Sequence, residues 1–595
     1  MISLAFFHGK WYNIREIINS RLEDAMYMDF TVKIPDGEKG ITRKNIKGTT
    51  YIYYTFERNY DSGRKFTIPK STSIGKCSED DPNMMYPNGN YIKFFPDAEL
   101  PEEKDESNRS GCLRIGTFLI LRRIIAEYHL DEILGRLIGA DSGLFLDLAA
   151  YSIIAENNAG QYYPDYAYNH PLFTNGMKVY SDTKVSNFIN SITREQSIAF
   201  LNEWNEHQDH RERIYISYDS TNKNSQAGDL DLVEVGHPKE DVGVPIFNYS
   251  IAFDRNNSLP LFYEAYPGSI VDVSQLQLML EKANGYGYKH IGFILDRGYF
   301  CKENIRFMDR CGYEFIIMMK GMKNLVKELV LEVKGSFEEH REYSIRDYRV
   351  SGITVKRKLY PSDERERYFH IYYNDRKKTI ERENIESKID QMAQFLQEHE
   401  GRALSLGNLF HKYFDLIFFH EGHPDEKFMY GTERHAVIDE DISLCGYFVI
   451  ITSEKMTAEA AIDLYKSRDA SEKLFRGDKS YLGNKSLRVQ SSDSLHAKIF
   501  IEFIALIIRN KFHLCLKNQM LKTGKNQNFM TVPAAIRELE KIEIVRQTDH
   551  NYRLDHAVTA RQKEILKAFD MTASNIREHA IELNGDLQSI IRKEA

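Results

Sequence analysis

Tryptophan and cysteine are the scarcest residues here: two Trp (Trp11, Trp204) and six Cys in 595 residues. Cys77, Cys112, Cys301, Cys311, Cys445 and Cys515 are scattered and never form a CxxC. That spacing excludes a zinc site and a disulfide framework, and leaves reduced thiols in a chain expected to be cytoplasmic. No basic flank followed by a long apolar run stands near Met1, so no signal peptide is expected. The most apolar stretch, Ile499 to Ile508, is broken by Glu502 and is too short to span a bilayer. It predicts a core helix and no membrane partner. Internal repeats and low-complexity tracts are missing. His420-Glu-Gly-His423 falls one residue short of HExxH. Gly285-Tyr-Gly287 lacks a third glycine and precedes a strand, so it is a turn.

An excess of positive charge is also missing. The net charge of −8 argues against nucleic-acid binding if the chain is taken whole, but phosphate contacts need only a local basic stripe. One candidate runs from Lys498 through Arg509, Lys511, Lys517, Lys522 and Lys525, opposed only by Glu502. It reads either as a solvated face or as a phosphate-binding surface.

What is present is length and alternating order. A chain of 595 residues predicts roughly three to five domains. Residues 1–108 read as a β-rich module and linker. There Thr50–Phe56 and Phe66–Ile68 flank a basic turn, in a hairpin that either lies along DNA or is purely structural. Residues 109–212 are helical by periodicity and are the place for a DNA-reading helix.

At Ile214 the period changes to two, placing Ile214, Ile216 and Tyr218 opposite Tyr215, Ser217 and Asp219. Strands at 245–253 and 260–266, a helix from Asp272 and an apolar strand ending at Asp296 complete an α/β segment, 213–320. Residues 321–445 are mixed, and the α/β pattern resumes over 446–510 with a helix carrying Glu472. Residues 511–595 are helical. The fold class is α/β and multidomain.

Asp219 and Asp296, taken singly, are ordinary strand-end carboxylates. The third acid has more unusual neighbours. At about 100° per residue, Tyr465, Arg468, Glu472 and Lys479 share a stripe roughly 60° wide. The stripe is either a charged surface face or a surface that both holds a metal and grips phosphates, with arginine, lysine and the tyrosine hydroxyl as donors.

The spacing Tyr465-x2-Arg468-x3-Glu472-x6-Lys479 resembles the Y-R-E-K signature of bacterial insertion-sequence DDE transposases, the insertion sequence four superfamily. Ile216-Ser-Tyr-Asp219-Ser-Thr and Leu295-Asp296-Arg-Gly-Tyr are similar to that family's first and second acidic motifs. The resemblance covers about Ile214 to Ile508. It implies a ribonuclease H-like catalytic core interrupted by a mostly β insertion. It also implies that Asp219, Asp296 and Glu472 bind two Mg²⁺ ions, with Mn²⁺ substituting, while Tyr465, Arg468 and Lys479 contact DNA. Hard cations want carboxylate oxygens, and two of them about 3.5–4 Å apart activate an attacking oxygen and stabilise the leaving one.

The implied partners are double-stranded DNA, both element ends and target, and a second copy of the chain on DNA. The implied setting is a bacterial nucleoid. One departure stands out: relatives place a tryptophan in the insertion, and this chain has none there. Either a Phe or Tyr takes its place or the DNA hairpin step is in doubt. The rival readings are a domesticated nuclease and a non-enzymatic DNA-binding protein derived from a transposase. Three convergent acids argue against the second.

Overall fold

The computed structural model describes the chain apart from residues 1–3, 8–9, 14–26, 29, 36–38, 47, 62–65, 79–80, 99, 101–108, 209–212, 226, 228–229, 237–243, 271, 289, 321–323, 484, 526, 548–550 and 595. It divides into two compact units, one of residues 1–119, 168–171 and 538–595, the other of 120–167 and 172–537.

In the first unit, β1 (Leu4–Phe7) and β2 (Lys10–Asn13) form an antiparallel pair. A five-stranded sheet follows, built from β3 (Val32–Lys33), β4 (Ile41–Ile46), β5 (Thr49–Asp61), β6 (Phe66–Cys77) and β7 (Met84–Pro87) in the order β3-β7-β6-β5-β4. Ile52, Ile74 and Met85 are fully buried in its core, with Tyr91 and Ile92 of the helix Gly89–Phe94. β5 and β6 are the expected hairpin, with Asp61 opposite Phe66; its turn lies outside the described residues. β8 (Cys112–Arg114) pairs with Glu543–Arg546, which pairs with Tyr552–Leu554.

The second unit opens with helices that the periodicity predicts, among them Leu130–Ile138, Ser142–Ala155, Asp182–Ser191 and Arg194–Glu206. The last starts at a capping box in which Thr193 and Gln196 satisfy each other's backbone N–H. Leu130–Ala155 is long and apolar enough to cross a membrane by length and composition alone, yet 56% of its most apolar window is buried inside the protein. Its Phe145 ring lies 4.8 Å from Phe500 of the 32-residue helix Ser492–Thr523. The Ile499–Ile508 run of that helix is buried, as the sequence predicts for a core helix.

A nine-stranded sheet carries the rest. Its strands are β9 (Ile214–Asn224), β10 (Ile246–Asp254), β11 (Leu259–Pro267), β12 (Ile291–Leu295), β13 (Glu314–Met318), β14 (Ser344–Ile345), β15 (Val350–Lys358), β16 (Glu366–Tyr373) and β19 (Tyr447–Thr452), after a separate hairpin of β17 (Phe414–Phe419) and β18 (Lys427–Glu433). The sheet order is β11-β10-β9-β12-β13-β19-β16-β15-β14.

The first five strands arise for local reasons. Asp254 accepts from the backbone N–H of Asn256 (2.8 Å) and Asn257 (3.3 Å), closing the β10–β11 turn. The helix Asp272–Gly285 then crosses over, so β12 returns parallel to β9. All five residues of β12 are buried, as a strand covered on both faces requires. Gly292 sits there because a Cβ would lie 2.5 Å from the Tyr215 ring. Three antiparallel strands followed by two parallel ones, in the order 3-2-1-4-5, make a ribonuclease H-like core.

Within the segment 321–445, β14, β15 and β16 pair into this sheet. Residues 375–443 instead form the β17–β18 hairpin and the helices Asp375–Glu398, Asn408–Tyr413 and His435–Ser443. Their own small core includes Ile389, Met392, Leu396, Phe414 and Phe428. The amphipathic stripe on the first of these helices is legible in the sequence. Phe419 and Tyr430 of the hairpin present exposed rings.

Candidate active site

Asp219 lies on β9 and Asp296 directly follows β12. The parallel register matches Ile214–Tyr218 against Ile291–Leu295, so the two aspartates are the next residues on neighbouring strands, whose backbones run about 4.8 Å apart. The sequence suggests a strand ending at Asp219. β9 instead runs on to Asn224, because β10 keeps pairing with it as far as Ile246. β12 does stop: Asp296 opens the turn Arg297–Tyr299.

The third acid arrives from β19. Thr457 caps the helix Ala458–Lys466 by accepting from the Ala460 N–H at 3.1 Å. Periodicity reads one helix from Thr457 through Glu472, with Gly477 as the place for a bend or end before Lys479, and here the structure corrects it: the helix runs through Gly477 to Tyr481 and is divided earlier. The helix breaks at Ser467–Arg468, where the Ser467 hydroxyl donates to the Leu464 carbonyl at 2.5 Å, and a second helix, Asp469–Tyr481, begins. Tyr465 therefore stands on the first helix, Arg468 at the joint and Glu472 in the first turn of the second. A carboxylate is favoured at that end of the helix dipole.

Arg468 gathers the acids. Its Nη1 lies 3.5 Å from Asp219, and its Nη2 lies 3.8 Å from Asp296 and 2.5 Å from Glu472. The Tyr465 hydroxyl donates to Asp296 at 3.3 Å, and its ring lies 5.7 Å from the guanidinium carbon. Burial, reinforced by the charge of Asp296, pushes the Tyr465 phenol above its ordinary range and keeps it a donor. Burial opposes the charge on Arg468, but Tyr465 and the three carboxylates outweigh it, so its pKa rises. Side-chain exposure increases from Asp219 (17%) through Asp296 (36%) to Glu472 (45%), so the set opens to solvent on the Glu472 side. Lys479 lies roughly 10 Å further along the second helix, given 1.5 Å per residue.

The donor set is all carboxylate oxygen, the chemistry a hard divalent cation selects. As the side chains stand, the guanidinium is their cation. Among the described residues, no three His, Cys, Asp or Glu side chains group closely enough to hold a metal ion.

The first half of the basic stripe that starts at Lys498 is half-buried and engaged within the protein. The Lys498 ammonium donates to the Asn158 and Arg488 carbonyls, and is pushed down to about 8 by burial and Arg488. Arg509 is pushed down to about 10 by burial and stacks over Tyr481 at 5.0 Å. Lys511 pairs with Glu127 at 2.5 Å. Only Lys517, Lys522 and Lys525 of the series are exposed. Sequence reasoning also missed where Glu502 points: it ion-pairs with Lys223, which also holds Asp478, and all three are buried. An acid inside an apolar run was the available signal.

Residues 225–508 match the transposase DDE domain. The match begins just after Asp219 and takes in Asp296, Tyr465, Arg468, Glu472 and Lys479. No curated protein matches the chain. Among solved structures, a piggyBac transposase synaptic complex with hairpin DNA is similar at TM-score 0.34 and 8% identity, over 80% of this chain and 83% of that one. A Mos1 transposase paired-end complex with the left transposon end is similar at TM-score 0.13 and 14% identity, over 29% of this chain and 57% of that one.

Proposed function

We propose that the chain is a DNA transposase of the Y-R-E-K insertion-sequence kind, which cleaves the ends of its element and joins the 3′ ends to target DNA. The observation that supports this best is the convergence of Asp219, Asp296 and Glu472, from two parallel strands and a helix, on one guanidinium, with the last two inside the stretch that matches the DDE domain. The three carboxylates are the ligands for two Mg²⁺ ions, which when bound supply Lewis-acid activation of the attacking and leaving oxygens.

The remaining roles fall to the chain itself. Arg468 holds the acids in place as their partner, and its guanidinium is also suited to a DNA phosphate. Tyr465 orients Asp296, and Lys479 grips the same strand two turns on. The partners are double-stranded DNA and a second copy of the chain.

The test is end cleavage in Mg²⁺ on a plasmid carrying the DNA that flanks the gene. Asp219→Ala, Asp296→Ala and Glu472→Ala should each lose roughly a thousandfold in rate, as expected when several kcal/mol of transition-state stabilisation disappear. DNA affinity should change little. A variant that cleaves at the wild-type rate removes its residue from the site.

A further inference from the structure

Lys223, Asp478 and Glu502 form a charged cluster sealed from solvent, beside the acids but apart from them. The Lys223 ammonium pairs with both carboxylates and lies 4.6 Å from the centre of the Tyr249 ring. Each member stands on a different element. Lys223 follows Asp219 by four residues on β9, so both side chains leave the same face of that strand. Asp478 is on the Glu472 helix, Asp469–Tyr481, and Glu502 is on the core helix Ser492–Thr523.

Buried charges of this kind are a poor source of stability, since apolar residues of similar volume often serve as well or better. What a short, directional ion pair adds is register between the elements it joins. Burial and the neighbouring Asp478 push the Glu502 carboxyl well above the usual carboxylate range, against the pull of Lys223.

We propose that the Lys223–Asp478 pair, braced by Glu502, is a positioning device that sets the Glu472 helix against the Asp219 strand and so fixes the spacing of the carboxylates. The role rests on the reading that those carboxylates bind metal. It assigns no chemistry to the cluster. It predicts that loosening the pair weakens metal binding without touching a ligand.

The test uses the full chain, with Mn²⁺ alone as the probe in calorimetry, nicking of a supercoiled plasmid across a Mn²⁺ series, and thermal unfolding. The variants are Asp478→Asn, which keeps the shape, and Lys223→Met combined with Asp478→Leu, which replaces both partners of the pair with apolar side chains. In a folded variant the Mn²⁺ Kd should weaken about tenfold or more, as when the outer partners of metal ligands are lost. The Mn²⁺ concentration for half-maximal nicking should rise with it, and nicking should recover at high Mn²⁺.

Asp219→Asn is the reference. If it binds Mn²⁺ and nicks like the wild type, the metal-site reading falls. If it is inactive while the cluster variants keep wild-type Mn²⁺ affinity and nicking, the positioning role alone is overturned. Loss of folding in both cluster variants would assign the cluster to stability and overturn it too.

Discussion

Arg468 is the residue on which the site turns. A guanidinium within 4 Å of three carboxylates competes for the oxygens that a divalent cation would use. Arg468→Gln should therefore tighten Mn²⁺ binding by about tenfold, a change of ~1.4 kcal/mol that one nearby like charge can readily supply. The same variant should lose DNA affinity, because it removes a phosphate donor. Calorimetry with Mn²⁺ and a DNA-binding titration check the two halves. Weaker Mn²⁺ binding in Arg468→Gln would show that the arginine organises the acids more than it blocks them. Tyr465 bears on the same point from below: its hydroxyl holds Asp296, and its raised pKa keeps that donor protonated at any ordinary pH.

Among the elements, β19 links the sheet to the helices of the candidate site, since it pairs with β13 and β16 and leads into Ala458–Lys466 and on to the Glu472 helix. His370 of β16 sits in this joint without solvent exposure. It hydrogen-bonds with Thr354 of β15 at 2.9 Å and with Thr452 of β19 at 3.0 Å. Burial holds its pKa down to about 4, against about 6.5 in an unfolded chain. The unfolded state thus binds the proton first, and stability is lost as pH falls from about 6.5 to about 4, by about 3 kcal/mol in all. His370→Gln keeps hydrogen-bonding capacity and removes the titration. Its urea midpoint should fall less steeply than that of the wild type over this range. Parallel profiles would place the acid sensitivity elsewhere.

For the whole molecule, the proposed reaction acts on two element ends, while each chain carries one Asp219–Asp296–Glu472 set. Two copies are therefore expected on paired ends. Mixing Glu472→Ala with a variant whose end binding is lost at a surface outside the Asp219–Asp296–Glu472 site should restore part of the cleavage that each lacks, if each end is cut by the copy bound to the other. Mass measurement on paired ends should give two chains per complex, and a single chain there would sink the idea. The overall charge of −8 is no obstacle to a DNA partner. It does mean that attraction must come from local cations, and burial leaves fewer of those on the Ser492–Thr523 helix than its composition suggests.

The elements around the site were legible in the sequence because they rest on local rules. Alternation marks β9, an unbroken apolar run marks β12, Asp254 and its two asparagines mark the hairpin, and spacing alone singled out Tyr465, Arg468, Glu472 and Lys479. Those signals act over a few residues. At the break the Arg468 N–H turns to the Tyr465 carbonyl, three residues back, a change of backbone bonding that periodicity does not register. Only the tertiary structure decided that Arg468 faces the acids, that Lys498 and Arg509 are half-buried and engaged by neighbours, and that Lys223 meets Asp478 and Glu502. Those last partners are 255 and 279 residues away along the chain. Side chains so distant become neighbours only through the order in which strands and helices pack, and no local pattern of residues encodes that order.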